Sequence, residues 1–168
     1  DFSMAFQPII DTTYKTIFSY EALVRGPNNE PASSILSQVH EHNRYRFDQA
    51  CRVKAIKTAS ELEMQSFLNI NFLPNAVYQP ETCIRTTLQA AKEYHFPVEK
   101  IIFEVTEGEK ISDPLHLDAI MKEYKYRGFL TAIDDFGAGY SGLNLLAKFQ
   151  PNYVKLDMAL TRNIDKDR

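Results

Sequence analysis

Hydrophobic and polar residues alternate along this chain with two different periods. Short apolar runs of strand length are separated by longer stretches in which apolar residues return every three or four positions, the spacing of one helix face. The runs predict six strands, at residues 4–10, 16–25, 66–72, 100–107, 129–136 and 153–158. The longer stretches predict helices at 47–62 and 82–94, and a third helix that begins after Pro114 and ends before Gly128. This order of elements is typical of an α/β protein.

The connection between the first two predicted strands is much shorter than the later ones. Only residues 11–15 separate these strands. A parallel crossover needs about a dozen residues, so the two strands are predicted to form an antiparallel hairpin. The later strands are separated by helices and are predicted to be parallel, with right-handed crossovers. The sheet should therefore contain one antiparallel strand followed by a parallel series.

The composition is that of an ordinary globular domain. The chain has 168 residues, of which 44% are hydrophobic, and a net charge of −3. This weak acidity argues against binding to nucleic acid polymers or anionic membrane surfaces, which usually requires a basic patch. No apolar run approaches the roughly 18 residues of a membrane span, and the first residues given show no signal-peptide pattern. The two cysteines lack metal-site spacing, and we expect a cytoplasmic protein.

Polar side chains stand at the ends of five predicted strands, where apolar residues are expected. They are Glu21, Asn71, Glu104, the pair Asp134 and Asp135, and Lys155. Because the carboxyl ends of parallel strands meet at one mouth of a sheet or barrel, we expect these side chains to form one site. Carboxylate and amide oxygens favour hard divalent ions such as Mg²⁺ or Mn²⁺. Two such ions would relieve the repulsion among the acids and suit phosphodiester hydrolysis.

Each of these residues also has an ordinary structural interpretation. A single acid at a strand end commonly caps a helix or forms a surface ion pair, and Asp134 and Asp135 could cap a helix beginning near Ser141. The asparagine alone would suit a turn, and the lysine would be a charge at the rim. Arg25 could hold a phosphate through its planar guanidinium or form a surface ion pair. The agreement over five strands favours the shared site.

The same residues lie in motifs that resemble the EAL-domain family of cyclic di-GMP phosphodiesterases. The signature triplet is Glu21-Ala22-Leu23 in "YEALVRG", and it is accompanied, in the family's order, by "FQPII", "NINFLP", "FEVTEGE", "DDFGAGYSGLNLL" and "VKLD". The stretch "NINFLPNAVYQPETCI" is similar to the subgroup coupled to blue-light sensors. The resemblance covers essentially the whole chain. It implies a TIM-like (βα)8 barrel with an antiparallel first strand, incomplete here, with about six strands present.

The resemblance also implies a role for each candidate residue. Two divalent cations, Mg²⁺ or Mn²⁺, would be held by Glu21, Asn71, Glu104, Asp134 and Asp135. The catalytic residues would be Glu21, Asp134, Asp135 and Lys155. In this set Lys155 contacts the attacking water, Gln7 and Arg25 bind the substrate, and Glu107 anchors the loop that follows the aspartate pair. That loop, residues 136–146, is the family's mobile dimerisation and regulation loop.

The implied reaction hydrolyses one phosphodiester of cyclic di-GMP to linear pGpG in bacterial second-messenger signalling. The implied partners are cyclic di-GMP, a second copy of the chain through the loop after Asp135, and an N-terminal sensor domain. A complete family member has two further strand–helix units, so we expect residues 1–168 to be the N-terminal two-thirds of the domain and inactive alone. The main alternative is a non-catalytic cyclic di-GMP receptor or protein-interaction module. A metal phosphoesterase for another substrate and, more distantly, a glycosidase with paired acids also stay open.

Overall fold

The computed structural model describes residues 1–107, 113–138 and 142–166, which contain six strands in one sheet. The strands are β1 Ser3–Asp11, β2 Thr16–Arg25, β3 Phe67–Asn71, β4 Ile101–Thr106, β5 Leu130–Phe136 and β6 Tyr153–Leu156. The α-helices are α1 Ala32–Leu36, α2 Arg44–Glu61, α3 Pro80–Glu93, α4 Pro114–Tyr126, α5 Gly142–Phe149 and α6 Met158–Thr161. All six predicted strands are present, to within two residues at each end.

The strands follow one another across the sheet in the order of the sequence. β1 and β2 form the predicted antiparallel hairpin, and every later neighbouring pair is parallel. The hairpin register shifts between Ile9 and Ile10, which pair with Ser19 and Ile17, so Phe18 is the additional residue of a β-bulge. Bulges increase the local twist of a sheet, and this one lies on a strand that carries a candidate site residue.

The sheet is strongly curled. The ring centroid of Phe18 on β2 lies 5.0 Å from that of Phe67 on β3 and 5.3 Å from that of Tyr153 on β6. In a flat sheet β2 and β6 would stand about 19 Å apart, because neighbouring strands are spaced by about 4.8 Å. The three rings therefore lie on the inner face of an open half-barrel. This arrangement confirms the TIM-like fold with an antiparallel first strand and an incomplete set of strands.

Helices α2, α3 and α4 cover the outer face of the sheet and bury the core. Ile56, Ile84 and Ile120, one from each helix, are fully buried with Ile70 and Phe103 of the sheet. Burying a side chain of this size stabilises the fold by about 1.5–3 kcal/mol. Among the described residues, no helix combines the length and apolar character needed to cross a membrane. The core lies outside the barrel wall, which leaves the inner face available for polar residues.

Some helix predictions need correction. The predicted loop over residues 136–146 ends earlier than its stated bound, because α5 begins at Gly142, close to the helix start near Ser141 that the sequence also suggested. Leu146 and Phe149 recur at helical spacing there, and Phe149 is buried against the core. Residues 139–141 lie outside the described residues. The helices α1 and α6 were not predicted, because four or five residues are too few to show a period.

Candidate active site

The carboxyl ends of β2 to β6 bring five predicted site residues together on the inner face of the half-barrel. They are Glu21, Asn71, Glu104, Asp134 and Lys155. The strand register explains why these side chains lie together. Asn71 on β3 is paired with Glu104 on β4, and Glu21 on β2 is paired with Asn69 on β3. Side chains two residues apart on a strand share a face, so the inner face collects polar groups from successive strands.

The ammonium group of Lys155 lies at the centre of this group. Its Nζ is 2.8 Å from Glu21 Oε2, 2.9 Å from Glu104 Oε2 and 2.9 Å from Asp134 Oδ2. Burial alone would lower the pKa of Lys155, but the Glu104 charge and the hydrogen bonds to the acids raise it above its ordinary value. Lys155 is therefore positively charged at neutral pH and holds the three carboxylates together.

Glu104 forms the buried floor of the site. Its side chain is 0% exposed, with Oε2 accepting from Lys155 and Oε1 accepting from the amide Nδ2 of Asn69. Burial raises the pKa of Glu104 to about 7, because desolvation and the nearby Glu21 charge outweigh the stabilising effect of Lys155. A carboxyl with a pKa near neutrality at the bottom of a charged cleft is typical of a functional site.

Asn71 and the two aspartates complete the rim. The Nδ2 of Asn71 donates to Glu21 Oε1 at 2.9 Å. Asp135 is exposed and has a backbone φ of 52°, and its N–H donates to Asp134 Oδ1 at 2.9 Å. A positive φ is uncommon for a residue with a side chain and is often found at functional sites. Some loss of hydration, followed by the charge of the neighbouring Asp134, raises the pKa of Asp135. The structure therefore turns the two adjacent carboxylates toward different surroundings.

The two predicted substrate-binding residues flank the acids on β1 and β2. Gln7 is exposed and lies directly opposite Glu21 in the antiparallel register. Arg25 lies at the end of β2, where its Nη1 donates to the carbonyl oxygen of Val24 at 2.8 Å. Gln7 thus adjoins the acid group, whereas the guanidinium of Arg25 is held against its own strand.

Glu107 contacts the segment after the aspartate pair, as the sequence predicts for a loop anchor. Its Oε2 accepts a hydrogen bond from the backbone N–H of Gly137 at 2.6 Å, and its own N–H donates to the carbonyl oxygen of Asp134 at 2.9 Å. Gly137 has a φ of 97°, and a Cβ there would lie 2.2 Å from Cδ1 of Leu160. The positive φ of Gly137 favours a residue without a side chain at this position, whereas the Leu160 side chain could move aside.

Two features of the site were missed by sequence reasoning. Asn69 lies two residues before Asn71, and this spacing alone could have placed both amides on the inner face. The second feature is a fully buried ion pair between Asp48 and Arg52 of α2, with Nη2 and Oδ2 at 2.8 Å. Asp48 Oδ1 accepts the backbone N–H of Leu73, so the pair fixes the chain just beyond Asn71 and Phe72.

The donor set fits hard divalent cations. Oxygens of Glu21, Glu104 and Asp134 all lie within 4.8 Å of one another, close enough to share an ion. When all three are ionised, the carboxylates exceed the charge of Lys155 by two, and Asp135 adds to this excess. An all-oxygen set with surplus negative charge favours Mg²⁺, Mn²⁺ or Ca²⁺ over Zn²⁺. The residues present therefore fit divalent metal binding.

The curled α/β sheet, with its cluster of acidic side chains at the carboxyl ends of the strands, places the chain in the class of TIM-like proteins with a metal site. Comparison with known families makes this specific, because the EAL domain model matches residues 1–168. The chain belongs to the EAL domain family, as its motifs predicted. Several curated relatives are named as cyclic di-GMP phosphodiesterases.

Solved structures and a curated relative extend the similarity. A standalone versatile EAL protein from Vibrio cholerae O395, solved in its c-di-GMP bound form, is 63% identical with a TM-score of 0.95, over 99% of this chain and 70% of that one. The manganese/cy-diGMP complex of Klebsiella pneumoniae BlrP1 is 33% identical with a TM-score of 0.89, over 97% and 42%. The blue light- and temperature-regulated antirepressor BluF of Escherichia coli K12 is 32% identical over 163 residues, 96% of this chain and 40% of BluF.

Proposed function

We propose that this domain, in its full-length protein, hydrolyses cyclic di-GMP to linear pGpG with the help of two divalent cations, Mg²⁺ or Mn²⁺. The observation that carries the proposal is the group of three carboxylates around Lys155 at the carboxyl mouth of the half-barrel. The similarity to c-di-GMP complexes at 63% and 33% identity supports the substrate, and the manganese in the second supports the kind of metal. The chain spans 40% of BluF and 42% of the BlrP1 chain, so the activity concerns the complete protein.

In this proposal the metal ligands are the strand-end oxygens. They are Glu21, Asn71, Glu104, Asp134 and Asp135. When bound, the ions would polarise a water molecule and offset the negative charge that develops on the phosphate. As a metal ligand, Asn71 would turn its side-chain carbonyl oxygen toward the ion. The hydrogen bond from its Nδ2 to Glu21 permits this, because that bond does not use the oxygen. Asp135, outside the three-carboxylate group, would serve the second ion.

The remaining residues position the water and the nucleotide. The three N–H donors of Lys155 all face carboxylates in this structure, and ions bound to these acids would release one donor to orient the attacking water. Gln7 contacts a guanine edge from β1, and Arg25 leaves the Val24 carbonyl to hold a phosphate. Water attacks phosphorus, one P–O bond to ribose breaks, and the released oxygen takes up a proton, which gives one linear product. Homodimerisation through residues 136–146, a sensor-domain partner and a cytoplasmic location stay predictions.

A second candidate function is a non-catalytic cyclic di-GMP receptor or protein-interaction module. The name of BluF, an antirepressor, favours this alternative. The presence of an oxygen donor at each of the five proposed ligand positions and of Lys155 among them favours the enzyme.

The deciding experiment incubates the full-length protein with cyclic di-GMP and Mn²⁺ or Mg²⁺, and separates products by chromatography. We expect pGpG to form, and chelation of the metal to stop its formation. Nucleotide binding without pGpG would support the receptor instead. Cyclic mononucleotides tested in parallel should stay intact, and their hydrolysis at a similar rate would point to a different phosphoesterase. Glu21→Gln, which keeps the shape of a proposed ligand but removes its charge, is the matched inactive control.

A further inference from the structure

Asn69 is a buried amide that touches the floor of the site without being one of its proposed ligands. Its side chain lies on β3, is 3% exposed, and donates through Nδ2 to Glu104 Oε1. The other oxygen of Glu104 accepts from Lys155 at 2.9 Å. Each Glu104 oxygen therefore has its own donor, one amide and one ammonium. The carboxylate is held in a single orientation from two sides.

The oxygen of the Asn69 amide, Oδ1, lowers the stability of the fold. In the part of the chain that the structure describes, Asn69 Oδ1 is buried without a hydrogen-bond partner. An unpaired buried acceptor loses its hydration and gains nothing in return, so such an atom in a folded protein calls for a functional reason. Rotating the amide by half a turn would face this oxygen toward the Glu104 carboxylate, where two acceptors repel. The orientation is therefore set by the need to donate to Glu104.

The direction of this hydrogen bond matters for the proposed metal site, on which the inference rests. Oε2 of Glu104 points to the space that Lys155 shares with Glu21 Oε2 and Asp134 Oδ2. The other oxygen of Glu104, Oε1, accepts the hydrogen bond from Asn69 Nδ2. We infer that Asn69 is a positioning residue, which holds Oε1 so that Oε2 alone is presented as a metal ligand. Partners that fix a ligating carboxylate in this way commonly change metal affinity by about 10–100-fold.

The test compares Mn²⁺ binding to the full-length protein and its Asn69→Leu variant, without nucleotide, by electron paramagnetic resonance of free Mn²⁺. Leucine has the same number of side-chain heavy atoms in the same branched arrangement, and it removes both the donor and the unpaired acceptor. We expect Mn²⁺ to bind about 10–100-fold more weakly, and the urea unfolding midpoint to fall as well, because the buried Glu104 Oε1 loses its donor. A purely structural residue would also lower the midpoint but would leave the Mn²⁺ affinity unchanged, so the affinity decides between the two roles. If Asn69→Leu does not fold, Asn69→Ala, which adds no atoms, carries the same comparison.

Ser19→Ala is the matched control. Ser19 is also fully buried on a neighbouring strand, and its Oγ also lacks a hydrogen-bond partner among the described residues. Its removal should leave Mn²⁺ affinity unchanged. Equal affinity in the wild type and a folded Asn69→Leu variant would overturn the role of Asn69 alone. A wild type that binds no Mn²⁺ would overturn the proposed metal-dependent function, and the inference with it.

Discussion

Replacing Lys155 with methionine separates the stability of the site from its chemistry. Methionine keeps much of the length of the apolar stem but removes the charge that lies 2.8–2.9 Å from the three carboxylates. Without a metal ion, these carboxylates then face one another within 4.8 Å with no cation among them. The floor residue Glu104 is 0% exposed and cannot be stabilised by water.

The size of the effect depends on pH. Removing one partner of a buried ion pair costs about 3–5 kcal/mol, and we expect about 3 kcal/mol at pH 8 because the Lys155 side chain is 25% exposed. At pH 5 the cost should fall to about 1 kcal/mol, since Glu104, with a pKa already near 7, is protonated in both proteins. Turnover of cyclic di-GMP should fall by at least about 100-fold, because the water loses its orienting group. Mn²⁺ affinity should persist, because the oxygen ligands remain.

The assay is urea unfolding of the metal-free full-length protein at pH 5 and pH 8, repeated with Mn²⁺. Lys122→Met is the matched control, because Lys122 also lies 2.8 Å from a carboxylate, Asp118, but is 76% exposed. This exposed pair should contribute less than about 1 kcal/mol at either pH. An equal loss of stability in Lys155→Met at both pH values would show that Lys155 does not balance a negative charge that Glu104 gains between them. That result would refute this account of the site's electrostatics.

Three further outcomes follow from the same contacts. Glu21→Ala and Asp134→Ala should each abolish pGpG formation while the circular dichroism spectrum is kept, and near-wild-type turnover would contradict their roles as ligands. Arg52→Met should lower the free energy of unfolding by about 3–5 kcal/mol, because Asp48 is left charged and buried, and an added Asp48→Leu should restore much of it in urea titrations. In the metal-free protein, the raised pKa of Glu104 means that the folded state binds its proton more tightly than the unfolded chain. The free energy of unfolding should therefore fall by about 3 kcal/mol as pH rises from 4.5 to 7, relative to a Glu104→Gln variant that lacks this titration.

The parts of the fold that were predictable are those set by local pattern. Apolar runs located the strands, and strand alternation together with parallel topology placed Glu21 and Glu104 at one mouth. The central position of Lys155 was not predictable, because it depends on the curl that brings β6 back to β2. Burial of Arg52 was equally hidden, since its partner Tyr124 lies 72 residues away in sequence. Non-local partners, rather than local propensity, decide where these charges lie.

The curl of the sheet and the assembly of the site are therefore one event. Lys155 and Glu21 are 134 residues apart in sequence, and they meet only when β6 closes toward β2 around the rings of Phe18 and Tyr153. The aromatic layer supplies the apolar contact for this closure, while the acids oppose it by repulsion unless a cation lies among them. Lys155 supplies part of that positive charge from the polypeptide, and divalent ions would supply the rest. A site that needs ions to complete its charge balance couples metal binding to the closure of the sheet, so Mn²⁺ should stabilise the curled fold as well as support the reaction.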